Sequence, residues 1–223
     1  MSITYKALAA LLAYPEADLV AALPEIRAIV EADRALPRAE RRDLVALADE
    51  IASGDPIDAQ ERYVALFDRG RATSLHLFEH VHGESRDRGQ AMVDLKAEYE
   101  RAGLRLRDGE LPDYLPALLE FLSLQPHDVA EVMLGESAPL LRKVGNALAA
   151  RGSRYASVLA AALASVGERG LDERPEAAIE PDKPIDEEWA EAPVVFGPGA
   201  APSCGVPAPA SAVVKFMPRP AAR

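Results

Sequence analysis

The run Glu79-His80-Val81-His82-Gly83-Glu84-Ser85-Arg86-Asp87-Arg88-Gly89-Gln90 concentrates more reactive side chains than any other part of this chain. Two of the four histidines lie in it, and a third, His76, stands one helical turn before His80. Three chemistries compete for such a cluster: metal binding, catalysis and recognition of a partner. For a metal, His76 and His80 would share one face of a continuous helix, but His82 would not. No third and fourth ligand follow at zinc spacing. Glu79-His80-Val81-His82 also differs from His-Glu-x-x-His, where the glutamate sits between two ligands one turn apart. For catalysis, Ser85 near His82 invites a nucleophile reading. Yet no Gly-x-Ser-x-Gly elbow is present, and Gly83-Glu84-Ser85-Arg86-Asp87 reads as a break, an N-cap and a first-turn acid. There is no Walker loop and no glycine-rich dinucleotide turn. A purely structural reading stays open beside recognition: in it Val81, Met92, Val93 and Leu95 pack inside while the charges are solvated. Gly89 inside a helical run costs about 1 kcal/mol relative to alanine, which points to close approach by another backbone, whether a core helix or a ligand.

A second run, Glu110-Leu111-Pro112-Asp113-Tyr114-Leu115-Pro116, has the same double character. As structure it is a loop, with Asp113 capping the helix that follows. As function it sets Glu110 and Asp113 beside the edge of Tyr114, a mixture suited to a basic amphipathic peptide.

The elements that hold these runs are expected to be helices. Ala and Leu dominate, aromatic residues make up 5%, and no alternating apolar run competes. Tyr5, Leu8, Leu11 and Leu12 mark one face of a first helix that stops before Pro15. A second covers residues 16–33, with a break or kink at Pro24. Pro37 opens a third that Gly54 ends, and Asp55-Pro56 caps a fourth. Helices follow at about 75–82 and 85–102, the latter closed by Gly103. Further helices begin near Asp113, Pro126, Pro139 and Ser153. Residues 1–167 thus form one all-α domain, a helical bundle. Residues 168–223, acidic and then rich in Pro and Ala, read as a largely disordered tail with an apolar island at Trp189 and Val194–Phe196.

Composition narrows the partners. A net charge of −11 repels nucleic-acid phosphates and anionic lipid heads and favours a cationic partner. The single cysteine, Cys204, allows no internal disulfide. No signal-peptide pattern and no bilayer-length apolar run are present, so a cytoplasmic location without stable membrane association is expected.

Several blocks taken together resemble one family. They are Leu11-Leu12-Ala13-Tyr14-Pro15, Tyr63-Val64-Ala65-Leu66-Phe67-Asp68-Arg69-Gly70, the long stretch from Ser74 to Gly83 and on through Ser85 to Leu95, and Glu110 to Pro116. The chain is similar to the assembly chaperones of respiratory nitrate reductase, the NarJ or delta-subunit family of redox-enzyme maturation proteins. That resemblance implies an all-helical fold of the redox-enzyme maturation chaperone type and no catalytic activity. It implies no resident cofactor or metal. It implies binding of the N-terminal segment of the catalytic, molybdenum-containing subunit in the cytoplasm. The client would be held for molybdenum cofactor insertion and iron–sulfur loading before membrane docking, with the cofactor insertion machinery as a further partner. In the wider group the counterpart of Leu111-Pro112-Asp113-Tyr114 often ends in His rather than Tyr, and that stretch is implicated in leader-peptide recognition. The expected peptide-binding residues are Glu79, His80, His82, Glu84, Arg86, Arg88, Gln90, Glu110, Pro112, Asp113 and Tyr114. The alternative is a carrier that itself binds the molybdopterin cofactor, with Arg86 and Arg88 on its phosphates.

Overall fold

Helix signals written into the sequence appear where local chemistry places them. Asp55 accepts a hydrogen bond from the Ile57 backbone N–H at 2.9 Å, and Pro56 fills the first helical position of α4 (Pro56–Phe67). Gly54 takes φ +85° after α3 (Arg38–Ala52), and Gly103 takes φ +79° after α6 (Arg86–Arg101). Both glycines occupy the left-handed region that a Cβ disfavours, so each helix ends there. The computed structural model describes residues 3–81, 86–107 and 109–172. Among these residues there are ten α-helices and no strand apart from one isolated bridge between His76 and Tyr114.

The core is built around α1 (Ile3–Leu12), in which Leu8, Leu11 and Leu12 have no solvent exposure. It packs chiefly on α7 (Leu115–Leu124), and also on α2 (Ala17–Ala32) and α10 (Ala156–Ser165). α7 is apolar on nearly every side, and Leu115, Leu119 and Leu122 are fully enclosed. α10 fills the space between α3, α8 (His127–Glu136) and α9 (Ala138–Ala150). Helices without a polar face belong in the middle of a bundle, and these two lie there.

Three expectations are corrected. α2 runs unbroken through Pro24, because the proline ring lies on its exposed face while Leu23 and Ile26 are buried on the other. Packing of that inner face outweighs the one lost hydrogen bond. Val81 and Val93 are exposed rather than internal, since no described element covers that side of α5 (Leu77–Val81) or α6; Met92 and Leu95 are partly buried. Among the described residues nothing beyond its own helix lies within 4 Å of where a Gly89 side chain would begin, so no core helix makes the close approach expected of it. Residues 168–172 lie along α9, where Arg142 and Asn146 bind them. The remainder of the expected tail, including Trp189 and Cys204, falls outside the described residues, as do His82, Gly83, Glu84 and Ser85.

Candidate functional site

Two loops meet beside α5 and set up the site. The Leu115 N–H donates to the Leu75 carbonyl at 2.9 Å, and the Leu77 N–H donates to the Asp113 carbonyl at 3.1 Å. This short bridge joins the 74–78 segment to the 110–114 segment ahead of α7. Asp113 lies beneath it with no solvent exposure. Its carboxylate accepts from the Phe78 N–H at 3.0 Å and meets His76 Nδ1 at 3.3 Å. Asp113 therefore caps α5 rather than α7, whose N-cap, Tyr114, makes no side-chain capping bond. The physical reason is geometric: the bridge turns the carboxylate toward the orphan N–H groups at the start of α5.

Around that cap runs a polar network. The Ser74 hydroxyl donates to Glu79 Oε2 at 2.6 Å and accepts from the His76 N–H at 3.2 Å. His80 Nε2 donates to the Ser74 carbonyl at 2.9 Å, which fixes its tautomer. Arg88 Nη2 reaches Glu79 Oε1 at 3.3 Å and ties α6 to α5. Behind it, the Tyr99 hydroxyl donates to the Pro112 carbonyl at 2.8 Å, and the Tyr99 ring packs on Phe121 with centroids 4.6 Å apart. Tyr63 donates to the Leu12 carbonyl at 2.8 Å, so the 3.1 Å bond between Tyr63 and Tyr114 must have Tyr114 as donor. Burial, reinforced by the Tyr114 phenol, pushes Tyr63 well above the ordinary phenol range. It stays a protonated donor at any physiological pH.

His76 is raised above its ordinary value of 6.5, chiefly by its hydrogen bond to Asp113; desolvation opposes the shift, while the Asp113 and Glu79 charges add to it and Arg88 subtracts. A folded-state value above the unfolded one means that protonation stabilises the fold. The contribution is complete below the unfolded value and is lost as pH rises through the folded one. The urea midpoint of the protein should therefore fall as pH is raised from about 6 to 8, the window a raised histidine spans. In His76→Gln that fall should flatten. Identical pH profiles for the two proteins would remove His76 as the group responsible.

Of the expected binding residues, the fold brings Glu79, His80, Arg88, Pro112, Asp113 and Tyr114 into one network. Gln90 instead bonds Asp94 on its own helix at 2.8 Å, and Glu110 accepts from the nearby Arg107 N–H at 3.3 Å. Arg86 is exposed at the start of α6. His82 and Glu84 lie outside the described residues. Asp113, expected from the sequence among the peptide-binding residues, is fully enclosed, and each of its carboxylate oxygens has a partner within the protein. Ser74, Tyr63 and Tyr99 were not singled out by spacing. Their partners lie 5, 51 and 13 residues away, and only Ser74 had a local signal, as a cap.

The Ser74 hydroxyl is buried, donates to Glu79 and accepts from the His76 N–H, so it ties the loop to the start of α5. Among the described residues no group of three or more His, Cys, Asp or Glu side chains is placed to hold a metal ion. None of the described helices is long and apolar enough to cross a membrane. What the network presents outward is one face of α6. Arg86, Gly89, Gln90 and Val93 recur there at helical spacing, and Val93 is 61% exposed.

Comparison with known proteins bears on what that face serves. A family model described as nitrate reductase delta subunit matches residues 33–161, more than half of the chain. The chain is 44% identical over 193 residues to the nitrate reductase molybdenum cofactor assembly chaperone NarJ of Escherichia coli K12, covering 83% of this chain and 81% of that one. It is 33% identical over 178 residues to the probable chaperone of the same name from Bacillus subtilis 168, covering 80% of this chain and 96% of that one. It is 31% identical over 162 residues to the nitrate reductase-like protein NarX of Mycobacterium tuberculosis H37Rv, covering 71% of this chain but 24% of that longer one. The two NarJ relatives are named as assembly chaperones, not as catalysts. On the extent of these matches, the chain belongs to the nitrate reductase delta-subunit family.

Proposed function

We propose that this protein is a cytoplasmic assembly chaperone for the catalytic subunit of a nitrate reductase. It binds the N-terminal segment of that subunit and holds it for molybdenum cofactor insertion and iron–sulfur loading before membrane docking. The observation that carries this reading is the match, over four-fifths of the chain, to a relative named as a molybdenum cofactor assembly chaperone. The α6 face supports it. Exposed Val93 and the open surface at Gly89 offer apolar contact and close backbone approach to a docking helix, and the chain's net charge of −11 favours a basic one. Glu79, Arg88 and Asp113 hold α5, α6 and the 110–114 loop in register beneath that face. The carrier alternative is weaker, because Arg88 is already paired with Glu79, whose carboxylate offsets its charge toward a phosphate.

Calorimetry with a synthetic peptide matching the client's first fifteen or so residues tests the proposal. Binding in the micromolar range is expected, about −8 kcal/mol, tight enough to hold a client and weak enough to release it. No heat at tens of micromolar peptide across pH 6 to 8 would rule out direct recognition of that segment.

A further inference from the structure

A recess of about 350 Å³ opens between α3, α4 and the turn joining α9 to α10. Ala59, Arg62 and Ala65 recur at three-residue spacing on α4, so one face of that helix is turned to it. The two alanines leave the space open, and Ile51 and Leu66 complete an apolar floor. None of the residues that line it belongs to the network around Asp113.

Tyr155 gives the recess a polar group that packing alone does not explain. The residue is 7% exposed, and its ring meets Tyr63 and Phe67 edge-on, with centroids 6.0 and 5.1 Å away. Its hydroxyl has no hydrogen-bond partner among the described residues, yet packing does not seal it off. Burial and the Glu50 charge push the phenol well above its ordinary range, while Arg62 acts against them. Both charges line the recess, so the hydroxyl faces it and stays a protonated donor. An enclosed donor without an internal partner is satisfied from outside the protein, by solvent or by a ligand. The charges select the sign of that ligand. Glu50 is paired with Arg154 at 2.9 Å, and Arg151 is held by Thr73 at 3.3 Å. Arg62 is exposed at the rim and has no ion pair or hydrogen bond among the described residues. One uncommitted cation and one neutral donor over an apolar floor suit a monoanion with an apolar body.

We propose that this recess binds a small carboxylate with an apolar tail. The carboxylate sits on the Arg62 guanidinium and the Tyr155 hydroxyl, and the tail lies against Ile51, Ala59 and Leu66. The argument is independent of the client reading, because it uses none of the residues on the α5–α6 face.

Octanoate is the probe. Titrated into the isotope-labelled full chain, it should shift amides in 50–66 and 151–156 saturably, with a Kd of about 1 mM, ordinary for a ligand of its size. Arg62→Gln should weaken binding about tenfold and Tyr155→Phe about fivefold, the worth of a charged and of a neutral hydrogen bond. Octanol, which lacks the charge, and propionate, which lacks the tail, should each bind at least about tenfold more weakly. Without octanoate both variants should melt with the parent protein, since Arg62 is exposed and the Tyr155 hydroxyl has no internal bond to lose. Shifts that never saturate, that spread over the surface, or that persist undiminished in both variants would overturn the proposal. So would octanol binding as well as octanoate. A lowered melting temperature in Tyr155→Phe would overturn it too, because the hydroxyl would then be engaged within the protein.

Discussion

Replacing Asp113 with alanine should lower the unfolding free energy by about 2–4 kcal/mol, the range for removing one partner of a buried, charge-assisted network. Three losses add. The Phe78 N–H at the start of α5 loses its acceptor, His76 loses the carboxylate that raises its proton affinity, and a cavity opens beneath the bridge joining 74–78 to 110–114. For a helical domain of this size the melting temperature should drop by roughly 5–15 °C. Asp113→Asn keeps an acceptor for Phe78 and should cost about 1 kcal/mol, the ordinary net worth of a hydrogen bond. The asparagine variant should also flatten the pH dependence attributed to His76. Urea titrations at pH 6 and 8 read both effects. A loss under about 0.5 kcal/mol for alanine, the scale of surface substitutions, would return Asp113 to the rim as a contact residue. The distinction matters for function, because any loss of client binding in Asp113→Ala is expected to follow from a disordered α5 rather than from a missing contact.

The second large effect separates folding from binding in the opposite way. Gly89→Leu should leave the free protein as stable as before or more stable by up to about 1 kcal/mol, because leucine favours helix over glycine and the position faces open space. Client-peptide affinity should fall by about ten- to a hundredfold, equivalent to 1.4–2.8 kcal/mol. The reason is that a side chain at the point of closest backbone approach holds the docking helix away from Val93. Gly89→Ala should show the same stabilisation with a smaller loss of affinity. Melting curves and calorimetry on the same preparations make the comparison. Unchanged affinity in Gly89→Leu would place the client elsewhere on the molecule without touching the family assignment.

The sequence alone determined the helices and where they stop. Asp55-Pro56, Gly54 and Gly103 act through atoms within one turn of themselves, so their effects are legible without any knowledge of neighbours. It also carried the family resemblance in the blocks from Leu11 to Pro116, and the match to a relative extends over 83% of the chain. Periodicity named Val81 and Val93 as apolar positions, but it carries no information on whether an element arrives to cover them, and no described one does. Composition carries no sign that residues 168–172 lie along α9. The opening that Leu171 fills exists only once Gly145 of α9 faces Leu159 of α10. The widest gap between reading and fold is Asp113. A carboxylate just before a helix is read as the cap of that helix, yet its partners are His76 and Phe78, 37 and 35 residues earlier. That choice belongs to the tertiary structure. Burial removes water as the competing partner, and the bridge between the two loops decides which orphan N–H the carboxylate can reach.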